Sequence, residues 1–228
     1  MYCLSKKALL PVWAAILLSV PLFSACSERS HAAAEETAAE RNEKRNSNPW
    51  NNQAADSLVK TLKTGDLVMR TGNDVTSYML CQLNQRNKTY SHCGLVMVED
   101  GYPFVYHSIG GEDNPDERMR RDSARFFINP SNNLGFGIAR FDLSPAQYDS
   151  LHAIVKRYYG RRPLFDMKFD LATDDKLYCA EFIYKAVAEA TADSAFFSPT
   201  SVAGYTFMGV DDLFVNPHTK TICEIRYK

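Results

Sequence analysis

The chain has 228 residues, 45% of them hydrophobic, enough to bury one sizeable core. Its 26 Lys and Arg against 27 Asp and Glu leave a formal net charge of -1, which argues against a general nucleic-acid binder. Six cysteines occur without a CxxC or CxxxxH cluster, so neither a zinc site nor a dense disulfide framework is expected.

The first residues read as an export signal. Lys6 and Lys7 give the positive region, and residues 8–23 are apolar but broken by Pro11 and Pro21, poor material for a membrane span. The stretch ends in Leu22-Phe23-Ser24-Ala25-Cys26, which resembles the lipobox of bacterial lipoproteins. That resemblance implies a signal peptide over 1–25, cleavage before Cys26 and lipidation of that cysteine, which would anchor the protein to a membrane without a spanning helix. Ser27 follows, with no aspartate to suggest inner-membrane retention, so outer-membrane placement is expected. Residues 26–55 are polar, charged and Ala-rich, and read as a lipidated cysteine followed by a flexible tether.

Residues 56–228 have the size of one domain. Leu58 to Leu62 is a short helical run, Leu67 to Arg70 a strand, and Asp74 to Gln85 a helix. Gly94 to Glu99 and Tyr102 to Ser108 form a hairpin about the tight-turn pair Asp100-Gly101. Residues 110–123 read as a polar loop, and Phe136 to Phe141 as another strand. Ser144, Pro145 and Gln147 make a strong helix start that ends at Gly160. Phe182, Ile183, Ala186, Val187 and Ala190 recur at helical spacing, and Thr221 to Tyr227 alternates as a final strand. Hairpin-connected strands with helices set apart from them give an α+β fold, with no internal repeat and no nucleotide loop.

Cys179 falls at the first turn of the Phe182 helix, where unpaired N–H groups and the helix dipole lower a thiol's pKa. His92 and His107 sit on the two arms of the predicted hairpin, where strand pairing brings them near each other. A base at one histidine, oriented by the other, follows the logic of a Cys/His/polar triad. The competing reading of Cys179 is an inert core cysteine. His152 lies in an amphipathic helix, and His31 and His218 are assigned nothing.

The motifs GDLVMR, YSHCGLVMVEDG and FDMKFDLATDDKLYCAEFIYKA resemble the permuted papain-like amidases of the YiiX type, within the NlpC-like cysteine peptidase superfamily, with lecithin retinol acyltransferase a more distant relative. The resemblance implies a circularly permuted papain-like fold, with the histidine strand before the cysteine helix. It assigns Cys179 as nucleophile, His92 as base and His107 as the third polar residue, with no metal and no cofactor. Ala180 stands where relatives commonly have serine, while Glu181 is typical. Tyr178 and Glu181 are expected to line the substrate site. Acyl transfer through a thioester follows, on a cell-wall peptide or, alternatively, on a lipid or N-acyl amide. A non-catalytic envelope binding module is the reading from a different class. The cluster Arg118, Arg120, Arg121 and Arg125 reads as a solvated loop.

Overall fold

The computed structural model describes residues 36–111 and 114–228; the expected signal peptide and Cys26 lie outside them. In chain order the first elements are α1 (Ala38–Ser47), α2 (Pro49–Val59), β1 (Leu67–Gly72), α3 (Val75–Leu83), β2 (His92–Glu99), β3 (Tyr102–His107), β4 (Arg120–Ser123) and α4 (Ala124–Phe127). Then follow β5 (Asn133–Phe141), α5 (Pro145–Arg161), α6 (Cys179–Thr191), a small hairpin of β6 (Thr200–Val202) and β7 (Tyr205–Phe207), α7 (Val210–Phe214) and β8 (Thr219–Arg226). The fold is α+β, as expected.

One antiparallel sheet in the order β4-β3-β2-β1-β5-β8 organises the molecule. The β2–β3 turn is the one Asp100-Gly101 predicts: both residues have positive φ, 51° and 82°, the twist a two-residue hairpin needs. Side chains alternate across each strand. Leu67, Met69, Cys93, Leu95 and Tyr106 project to one face and pack on Leu151 and Val155 of α5 and Phe182, Ile183 and Val187 of α6. Val68, Val96, Val105, Phe136 and Ile138 project to the other, against Ala55 of α2 and Ala124 and Phe127 of α4. Each such side chain contributes about 1.5–3 kcal/mol by leaving water, so both faces are needed.

Three expectations are corrected. Residues 38–55 are not a tether but two helices packed on the domain. Arg45 is buried, with Nε donating to the carbonyls of Pro130 (3.1 Å) and Asn133 (3.0 Å). The amide of Asn51 donates to the carbonyls of Arg45 (2.8 Å) and Lys228 (2.9 Å) and accepts from the Lys228 N–H, while Ala55 is fully buried. The loop expected over 110–123 ends in β4, which adds to the sheet edge beside β3. Finally, α5 runs past Gly160 to Arg161, and Arg162 takes the left-handed cap at φ 52°.

Candidate active site

Cys179 opens a 13-residue helix. Four polar influences act to lower its thiol: the Cys93 side chain first, then the backbone N–H groups of Cys93, Ala180 and Cys179 itself. Together they hold the Cys179 thiol below its ordinary range although burial opposes them. Cys93 moves the other way: burial first, then the Cys179 side chain, pushes its thiol well up. Both cysteines are buried, Cys179 8% exposed and Cys93 not at all.

His92 and His107 are brought together as expected, with His92 Nε2 2.9 Å from His107 Nδ1. The chain continues to a residue that was not expected, Asp122 on β4, whose Oδ2 lies 3.0 Å from His107 Nε2 and whose Oδ1 accepts from Arg120 at 2.9 Å. The Asp122 carboxyl is held below its usual range by His107 and Arg120, against burial, so it is an acceptor and His107 Nε2 carries the proton. Burial, with the Arg70 and Arg120 cations, drives His92 well below the ordinary imidazole range; burial, opposed by Asp122, takes His107 to about 4. Both rings are therefore neutral near pH 7. A neutral His107 protonated on Nε2 has a bare Nδ1, which accepts from His92 Nε2–H.

The expected Cys179–His92 pair is not formed. Arg70 on β1 stands opposite His92, and both project to the α4 face, where the His92 ring centroid is 5.5 Å from that of Phe127 and the His107 centroid 5.0 Å from it. Cys93, one residue on, projects to the α6 face, into the apolar cluster that also holds Cys179. The same alternation recurs at the end of β3: His107 faces α4, whereas the next residue, Ser108, donates to the Leu177 carbonyl just ahead of α6.

Tyr178 and Glu181, expected to line the site, are both buried and bonded internally. The Tyr178 hydroxyl accepts from the Met208 N–H at 2.7 Å, and its ring lies 5.0 Å from that of Phe169. Glu181 Oε2 accepts from the Tyr178 N–H at 3.1 Å, and Oε1 lies 3.0 Å from Lys185 Nζ without a well-directed hydrogen bond. Burial raises this carboxyl to about 7. These two residues set the start of α6 and hence the position of Cys179. The arginine cluster is likewise engaged within the protein: Arg118 with the Arg162 carbonyl, Arg120 with Asp122, Arg121 with Glu99, and Arg125 with Asp56.

No family model matches the sequence. No curated protein matches it either. Among solved structures, the crystal structure of metalloprotein yiiX from Escherichia coli O157:H7 aligns over 72% of this chain and 98% of that one, with a TM-score of 0.58 and 19% identity. The chain has a YiiX-like fold. At that identity the likeness concerns architecture and carries no residue roles.

Proposed function

We propose that this chain is a cell-envelope cysteine hydrolase of permuted papain-like type, cleaving an amide or ester through a thioester on Cys179. One observation carries the reading. Burial pushes up the thiols of Cys81, Cys93 and Cys223, as it does for inert core cysteines, while Cys179 alone of the four described is held down. In the reaction the thiolate attacks the carbonyl carbon, and the carbonyl electron pair moves to oxygen. The free N–H groups at the start of the helix, those of Cys179 and Ala180, hold that oxyanion. The bond to the leaving group breaks, and the leaving group takes a proton from solvent. Water then adds to the thioester, releases the acid and returns the thiolate. The Cys179 thiol is lowered here by Cys93 and the helix start rather than by His92, whose relay lies on the other face of the sheet.

The substrate class follows from the proposed export and lipidation at Cys26: a cell-wall peptide first, a lipid or N-acyl amide as the alternative. The yiiX structure is described as that of a metalloprotein. Here His107 has both ring nitrogens engaged, and among the described residues no group of three or more His, Cys, Asp and Glu is placed to hold a metal ion, so the residues do not fit one and no step is routed through it. The near-closed Cys179 and the averted histidines favour a second reading, a non-catalytic binding module.

Incubating the chain with muropeptides and with N-acylated lipids, and reading products by mass spectrometry, tests the proposal. Wild type is expected to release a product that Cys179→Ala does not; hydrolysis by Cys179→Ala at the wild-type rate would sink it. Iodoacetamide alkylation against pH tests the means of activation. The inflection for Cys179 should move upward in Cys93→Ala and stay in place in His92→Ala. Movement in His92→Ala would restore the Cys–His dyad, and a wild-type Cys179 silent near neutral pH would favour the binding module.

A further inference from the structure

A helix on the surface of a globular domain ordinarily turns its apolar stripe to the core. Helix α3 does the reverse. Val75, Tyr78, Met79 and Leu83 recur at i, i+3, i+4 and i+8, along one face of the helix. Their exposures are 75%, 68%, 65% and 41%, whereas the buried residue of the helix is Cys81. No charged side chain interrupts the sequence VTSYMLCQL. A contiguous apolar face left in solvent marks an interaction surface. The charges at its two ends differ. At the start, Asp74 is turned back onto Ser77, accepting from its N–H at 2.8 Å and its hydroxyl at 2.7 Å. Past the end, the exposed Lys88 stands beside the last turn, with Nζ 3.4 Å from Gln82 Oε1.

The occupant of this face follows from where the chain enters the domain. Asn42 of α1 accepts from Asn73, the residue before the α3 cap, at 2.9 Å, and Asn73 also donates to the Ser131 carbonyl at 2.8 Å. The first helix is therefore docked beside the start of α3. Four helical steps and two extended ones lead from Asn42 back to Glu36, about 13 Å in all. Ten more residues, about 35 Å at most, lead back to Cys26. Acyl chains on Cys26 would thus hold a membrane within reach of α3. We propose that the exposed face of α3 is a membrane-docking surface, seated on the anionic phospholipid leaflet that carries the Cys26 acyl chains. Val75, Met79 and Leu83 enter the boundary between headgroups and acyl chains, as the apolar side of an interfacial helix does. The Tyr78 ring, apolar with a polar tip, suits headgroup depth, and Lys88 meets lipid phosphate. Anchor and helix together hold the domain in one orientation on the membrane. This docking surface rests on the anchoring proposed for Cys26 and not on the hydrolase reading.

The test is hydroxyl-radical footprinting of the wild-type full chain on vesicles of phosphatidylethanolamine and phosphatidylglycerol, isolated by flotation, with oxidation read by peptide mass spectrometry. Tyr102 and Met167, 70% and 64% exposed elsewhere on the domain, serve as internal standards. On vesicles Tyr78 and Met79 should oxidise several-fold more slowly, relative to these standards, than in the soluble Cys26→Ser chain without vesicles. In Met79→Asp, which puts a charge on the face, the protection of Tyr78 should be lost. A chain that floats while Tyr78 and Met79 oxidise like the standards would overturn the docking surface and leave the anchor standing. A wild-type chain that does not float would overturn both. Protection of the face in a floating chain that carries no fatty-acid label would support the docking surface and remove the lipidation. Equal protection with and without vesicles, with a dimer mass by light scattering, would assign the face to a second copy and overturn the proposal, as would undiminished protection in Met79→Asp. No readout involves Cys179 or a substrate, so hydrolysis stands or falls separately.

Discussion

Neutral imidazoles buried against an ionised carboxylate make His92, His107 and Asp122 an acid-sensitive chain. Above about pH 6.5 an unfolded histidine is neutral as well, and His107 makes no difference to the balance. Below it the unfolded chain binds a proton that the folded ring refuses until about pH 4, so stability is lost as pH falls through that window. The loss through His107 is on the order of 3 kcal/mol, His92 adds to it over the same window, and Asp122, a depressed carboxylate, adds its own loss only at still lower pH. Glu181, raised to about 7, works the opposite way over part of the range, so a comparison of two proteins is needed to isolate the ring. In His107→Gln the amide can still accept from His92 and donate to Asp122 but cannot titrate. Its urea midpoint should therefore fall less than that of wild type between pH 7 and pH 4; parallel decline would show that His107 is not neutral in the folded protein.

At the scale of elements, what the sequence revealed depended on how each element earns its stability. The start of α5 was legible because Ser144 and Gln147 cap each other, and α6 because its apolar residues recur at helical spacing. The direction of His92 was not legible. Residues 92–97 are buried on both faces of the sheet, so the run HCGLVM shows no polar–apolar alternation to say which side chains face α6. β4 was hidden because RRDS is held by backbone pairing and ion pairs, not apolar burial. The helices α1 and α2 were masked by their polarity, although Thr37 and Glu40 form a capping box and Asn48-Pro49 a helix start. Their docking combines the apolar contact of Ala55 with hydrogen bonds, so Asn51→Ala, which leaves the Lys228 N–H and carbonyl without that amide, should cost about 1–3 kcal/mol in urea unfolding. An unchanged midpoint would mean that α2 is not docked on the domain.

For the whole molecule, the docked α1 shortens the link to the proposed anchor. From Cys26 to Glu36 the chain advances ten residues, which even fully extended reach only about 35 Å. A tether running to residue 55 would have reached nearly three times as far. Among the described residues no helix is long and apolar enough to cross a membrane. The anchoring proposed is by Cys26 and the acyl chains it would carry. Metabolic labelling with a fatty-acid analogue should mark the wild-type protein and leave Cys26→Ser unlabelled. The variant should keep an uncleaved signal or appear soluble after fractionation, while Cys179 still alkylates as in wild type, since α1 and the sheet do not depend on the anchor. If Cys26→Ser is labelled and sediments with membranes like wild type, the lipoprotein reading fails, and the apolar stretch 8–23 must hold the chain at the membrane instead.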